Sequence, residues 1–188
     1  LDPFPHEFER SISSGDLKGK YSTLEAGEKD EQTKFTLAGR LMTKRDMGKA
    51  AFFTLQDQQG PFQGYIRVKE VDEESQQFFK HVDIGDIVGM SGFVFRTRKG
   101  ELSLHVEKFQ IICKSLEPLP EKYHGITDTE LKYRQRYLDL VMDPESRKVF
   151  ETRSKIIREV RRFLDGRGFL EVETPILQPI YGGASASP

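Results

Sequence analysis

From Lys34 to Cys113 apolar residues recur at every second position in short runs broken by Gly, Pro and polar turns, the period expected of β-strands with one buried face. In "KFTLAGRLM", Phe35, Leu37, Gly39 and Leu41 share one face, and Thr36, Ala38, Arg40 and Met42 share the other. A second strand is expected over Ala50 to Asp57, a turn at "QQG", and a third strand over Phe62 to Lys69. "EESQQFFKHV" reads as a short helix. "GDIVGMSGFVFR" and "ELSLHVEKFQIIC" read as two further strands joined through "TRKG", where Gly100 suits a hairpin turn. In the fourth strand both faces carry apolar residues, so its parity stays open.

Five strands with a helix between the third and fourth form the element order of an OB-fold, a small Greek-key barrel that often binds oligonucleotides. The fold class is therefore α+β, because the period changes after a proline-marked connector, "SLEPLPEKYHG". "TDTELKYRQRYLDL" is helix-like, and "DPESRKVFETRSKIIREVRRFLDGRG" is a long helix with Asp143 as cap, Pro144 at the first position and Gly166 or Gly168 at the end. Val149, Phe150, Ile156, Ile157, Val160, Phe163 and Leu164 lie largely on one helical face, which must pack on something. "FLEVETPIL" alternates like a strand, with Pro175 marking an edge or a partner contact. The expected organisation is a polar lead-in over 1–33, an OB barrel over 34–114, a linker over 115–127 and a second domain over 128–188.

In "AFFTLQD" two adjacent phenylalanines must point to opposite faces. Ala51, Phe53 and Leu55 form an unbroken apolar set, so Phe53 belongs in the core and Phe52 on the outer face. An outward aromatic on a small barrel is either covered by a loop or neighbouring domain, or a platform on which a base stacks. If "QQG" closes a tight hairpin pairing Leu55 with Phe62, then Tyr65 sits opposite Phe52 and Gln63 lies diagonally, about 7–8 Å away. A glutamine amide both donates and accepts, which matches a pyrimidine edge, although one polar side chain by itself is as readily a solvated one. Arg40, Lys44, Arg45 and Lys49 add a local positive cluster opposed only by Asp46, and Glu101 is outward at the start of the fifth strand. Together these features point to single-stranded RNA or DNA read by stacking and edge hydrogen bonds.

Composition narrows the partner but does not change this picture. The 29 basic and 30 acidic residues nearly cancel, so any nucleic-acid surface is local and not a bulk polycation. Cys113 is the single cysteine, and His6, His81, His105 and His124 lack ligand spacing, which leaves no disulfide framework or structural zinc site and fits a reducing, cytoplasmic setting. No apolar run approaches the roughly 20 residues of a membrane helix. The start without Met and the stop at "GGASASP" suggest a piece cut at both ends.

The segments "GRLMTKRDMGKAAFFTLQD", "FQGYIRV", "RTRKGELSLHV", "LEPLPEKYHG", "YRQRYLDL", "RGFLEVETPIL" and "GGASASP" together resemble the bacterial class II lysyl-tRNA synthetase family. The resemblance implies that the barrel binds the tRNA-Lys anticodon, its central uridine stacked on Phe52, with Arg45 and Gln63 on the uracil edge and Glu101 completing the pocket. It implies that the end of the long helix with Gly168, Phe169 and Pro175 is motif 1, the homodimer interface. Gly182 and Gly183 match the loop that approaches lysine. Ser187 departs from the family's usual Gly-Gly-Ala-x-Ala-Arg-Pro, where arginine is common.

The family's reaction joins lysine to tRNA with ATP and Mg²⁺: the lysine carboxylate attacks the α-phosphorus to give lysyl-adenylate and pyrophosphate, and a terminal ribose hydroxyl then takes the lysyl group. The arginines and carboxylates for that work belong to motifs 2 and 3, expected beyond Pro188. No catalytic or metal-binding residue is thus expected in this piece, which alone is expected to be inactive. The competing reading is a non-catalytic OB module for single-stranded nucleic acid generally.

Overall fold

The computed structural model describes Pro5, residues 7–120, Ile126 and residues 128–176. Backbone contacts divide the chain into two compact units, Leu1–Leu119 and Pro120–Pro188.

The first unit is a closed five-stranded barrel in the order β1-β2-β3-β5-β4, built from β1 (Lys29–Asp46), β2 (Ala51–Asp57), β3 (Gly60–Ile66), β4 (Ile87–Arg96) and β5 (Leu102–Cys113). All pairs are antiparallel except β3 with β5. The inward row follows the alternation: Leu37, Leu41, Ala51, Leu55, Val88, Val94 and Leu104 are fully buried, and Phe53 and Phe62 nearly so. Gly64 stands directly across from Phe53. A Cβ there would meet the Phe53 ring at 2.4 Å, so glycine is what lets the ring lie flat in the core.

Helix α2 (Glu73–His81) lies between β3 and β4 in the chain, started by Asp72, whose side chain accepts from the Ser75 amide at 2.7 Å. Its Phe79 ring packs 5.8 Å from Phe53 and 5.2 Å from Phe109, closing the core beneath the helix. Ser75 is buried and its hydroxyl accepts from the Phe109 amide at 2.9 Å, so the helix start is tied to β5.

Two features differ from the sequence expectation before residue 34. Helix α1 (Ser14–Lys20) occupies part of the expected lead-in, and β1 begins at Lys29. With 7 residues α1 shows no sustained period, and its order comes from docking. Leu17 is fully buried, the Ser14 amide donates to Asp57 Oδ2 at 2.7 Å, and the Asp16 amide donates to Gln59 Oε1 at 2.9 Å. Asp57 also accepts from the Gln59 amide at 2.8 Å, so one carboxylate orders both the β2–β3 turn and the helix packed on it.

The second unit contains α3 (Thr129–Arg134), α4 (Arg136–Met142) and α5 (Pro144–Asp165). Asp143 accepts from the Glu145 amide at 3.0 Å ahead of Pro144, the expected cap. Gly168 at φ 83° closes α5 with the Phe169 amide reaching the Leu164 carbonyl at 3.2 Å, the Schellman pattern that favours glycine. Asp139 is buried, with Arg136 and Lys132 as its ion-pair partners. The strand expected over "FLEVETPIL" is absent: Phe169 to Ile176 has no ladder partner among the described residues, and alternation alone cannot satisfy a strand's backbone groups.

Because Phe53 is enclosed by other rings while Phe52 is only half-buried, their truncations should differ in stability. Phe53→Ala is expected to cost about 3–5 kcal/mol in urea unfolding. Phe52→Ala should cost clearly less in the same assay.

Candidate nucleic-acid interface

The outer face is ordered by register. Arg45 of β1 pairs with Phe52, Phe52 with Tyr65, Tyr65 with His105, and His105 with Phe93, one row running through all five strands. A second row pairs Thr43 with Thr54, Thr54 with Gln63, Gln63 with Ser103, and Ser103 with Phe95. The first row is mostly aromatic and the second mostly hydrogen-bonding, so stacking surface and polar groups lie side by side.

A β-bulge decides which cation joins Phe52. The register slips between Leu41 and Thr43, so Lys44 falls opposite the inward Phe53 and Arg45 opposite the outward Phe52. Lys44 is consumed by the fold: its ammonium donates to the Phe79 carbonyl at 3.0 Å and lies 4.4 Å from the Phe79 ring centroid. Arg40 likewise donates to the Gly85 carbonyl at 2.7 Å. The four-residue positive cluster expected from the sequence is therefore reduced to Arg45 and Lys49, both exposed.

The rings form a connected tract. Phe52 and Tyr65 have centroids 4.8 Å apart, Tyr65 and His105 5.4 Å, Tyr65 and Phe95 5.7 Å, and His105 stacks on Phe93 at 4.6 Å and 17°. An open cavity of about 800 Å³ lies over this tract, lined also by Met47, Arg67 and Arg98. Arg67 Nε donates to the Tyr65 hydroxyl at 3.0 Å, and its Nη1 pairs with Glu70 at 2.9 Å, holding the tyrosine in place.

Of the residues expected to read a base, Phe52 lines the cavity; Arg45, Gln63 and Glu101 are not among its lining residues, and Arg45 is placed beside Phe52 by strand register. The Ser103 hydroxyl donates to Gln63 Oε1 at 3.0 Å, which fixes the amide and turns its nitrogen to other partners. Glu101 is exposed; its amide donates to Thr97 Oγ1 at 3.0 Å, locking the turn that ends at β5. Gly168 is the α5 stop, and Phe169 and Pro175 are exposed, Phe169 at 65%. Gly182, Gly183 and Ser187 lie outside the described residues.

Sequence reasoning missed Phe93, Phe95 and His105. The signal was present in "FVFR" and "LHV", where an aromatic ring alternates with Val94 or separates Leu104 from Val106. Apolar residues on both faces of β4 hid it. Among the described residues, no group of three or more His, Cys, Asp or Glu side chains is placed to hold a metal ion, and no helix is long and apolar enough to cross a membrane.

Residues 35–112 match the family described as OB-fold nucleic acid binding domain, and residues 128–188 match class II tRNA synthetases of the D, K and N type. Over its whole length the chain is similar to lysine–tRNA ligases. Over 189 residues it is 52% identical to the lysine–tRNA ligase of Oceanobacillus iheyensis, covering all of this chain and 38% of that protein. The lysine–tRNA ligase of Streptococcus suis is 52% identical over 190 residues and that of Pelotomaculum thermopropionicum 50% over 188. The chain spans well under half the length of those relatives.

His105 gives the face a pH dependence. Burial, and then the Arg67 guanidinium, hold its imidazole below the ordinary value, Lys34 acting in the same sense while Glu70 and Glu107 oppose. Between the folded value and about 6.5 the unfolded chain binds a proton that the folded chain refuses, so stability rises with pH through that window and levels off above it. Thermal unfolding of this chain should show a midpoint that falls as pH drops below about 6.5. In His105→Phe that slope should be shallower.

Proposed function

We propose that this chain is the anticodon-reading part, with the start of the catalytic domain, of a lysine–tRNA ligase. The parent enzyme activates lysine with ATP and transfers it to tRNA-Lys, in the cytoplasm, as a homodimer. The observation that carries the reading is the register row Arg45, Phe52, Tyr65 and His105 laid beside Thr54, Gln63 and Ser103. An unpaired pyrimidine stacked on Phe52 has a guanidinium on one side, and on the adjoining row an amide whose oxygen is already engaged by Ser103. Arg45 and the Gln63 nitrogen then donate to the uracil carbonyls, Glu101 accepts from its ring N–H, and a cytosine, which lacks that N–H, is bound less well.

The dimer reading is supported by the apolar side of α5, where Val149, Ile156, Val160 and Phe163 are all more than half exposed within the described residues. Phe169 and the segment through Pro175 extend that surface, with Leu170 at 86% and Ile176 at 97% exposed. Faces of this size and composition ordinarily meet a partner. Lysine contact at Gly182 and Gly183 rests on the family likeness. Among the described residues no group of three or more His, Cys, Asp or Glu side chains is placed to hold Mg²⁺.

Equilibrium binding to an RNA stem-loop with a UUU anticodon, compared with the same loop carrying a middle cytosine, tests the proposal. The uridine loop should bind more tightly, and Phe52→Ala should lose about 1–3 kcal/mol of that binding. Equal affinity for both loops would favour a general single-strand binder, which the sequence-tolerant stacking of a long aromatic tract also permits.

A further inference from the structure

The same cavity has a wall that the family matches do not include. Gly27, Lys29 and Glu31 line it together with Phe95, Thr97 and Arg98, although the OB-fold match begins at residue 35. The segment before β1's bulge therefore belongs to the site and is not only a lead-in. Lys29 pairs in register with Phe95, at the end of the aromatic tract, and Arg98 stands in the turn just past β4.

Arg96 joins these two walls. Its Nη1 donates to the Gly100 carbonyl at 2.7 Å and its Nη2 to the Tyr21 carbonyl at 3.0 Å. Its backbone amide donates to the Glu28 carbonyl at 2.9 Å, and its carbonyl accepts from the Gly27 amide at 2.9 Å. Arg96 Nε is buried without a hydrogen-bond partner among the described residues, while both terminal nitrogens of the fork are engaged. One planar guanidinium thus sets the spacing between the turn bearing Arg98 and the loop leading to Lys29.

We propose that Lys29 and Arg98 form a phosphate-binding rim for the nucleotide that adjoins the base on Phe52, with Arg96 as the positioning residue that holds the two cations over the site. The inference rests on the RNA-reading role of this face. Lys29 has an ion-pair partner, Glu31, at 2.6 Å, but both side chains are more than half exposed, so that pair is weak and readily exchanged for a phosphodiester. Arg98 has no ion pair among the described residues, and Arg67, the third cation of the cavity, is engaged by Tyr65 and Glu70. A single-stranded backbone passing the aromatic tract meets Lys29 and Arg98 where it leaves the Phe52 platform.

The test is the salt dependence of binding of the whole chain to the UUU stem-loop. Each phosphate contact on a single strand contributes about 0.7 to the slope of log affinity against log salt. Lys29→Ala and Arg98→Ala should each lower the slope by about that amount and the double variant by about twice it. Arg96→Lys keeps the charge, loses the fork, and should lower the slope as well. Lys18→Ala, whose ammonium donates to the Pro61 carbonyl at 2.6 Å away from the cavity, should leave it unchanged. Unaltered slopes in Lys29→Ala and Arg98→Ala would overturn the rim, and an unaltered slope in Arg96→Lys would overturn its positioning role. Phe52→Ala is expected to weaken binding with the slope intact, so loss of the base-reading role and loss of the rim give different results.

Discussion

Closing five strands into one barrel removes every free edge and ties the register of each strand to that of its neighbours. In this chain the closure is made by β1, whose 18 residues pair with β4 over the first part and with β2 over the last. A strand that long cannot serve two neighbours in one plane. The register breaks between Leu41 and Thr43, and between Asp30 and Lys34, relieve the bend. A further break between Ser91 and Gly92 precedes the pairing of Phe93 with His105 and of Phe95 with Ser103 on the outer face.

The first break separates two adjacent cations into different roles. Lys44 turns toward the barrel's end and covers Phe79, while Arg45 stands beside Phe52. The second lets residues from Lys29 onward pair with the end of β4, which brings the Tyr21 and Gly27 loop against Arg96. Core and site share the same strands: the rings of Phe53, Phe79 and Phe109 pack together inside the barrel, while Phe52, Tyr65, Phe95 and His105 meet outside it.

Electrostatic design on this face is local. Cations and carboxylates alternate around the cavity, Lys29 with Glu31 and Arg67 with Glu70, so the surface attracts a phosphate only where a cation is weakly held. Such an arrangement favours a ligand with a few defined phosphates and stackable bases over a duplex bound by bulk charge. The near-zero net charge of the chain, -1, agrees with it.

The alternation of residues by itself determined five strands and the helix between the third and fourth, the hairpin pairing of Leu55 with Phe62, and hence the placement of Tyr65 opposite Phe52, because a period of two and a tight turn leave little freedom. It also separated Phe53 from Phe52, and it placed Asp143 and Pro144 at the start of α5, since caps act within a few residues. Only tertiary structure decided the bulge that selects Arg45, the outward parity of Phe93 and Phe95, and the docking of α1 and Lys29. Those depend on contacts between residues far apart in the chain, such as Asp57 with Ser14 or Arg96 with Tyr21, whose pairing no local period encodes.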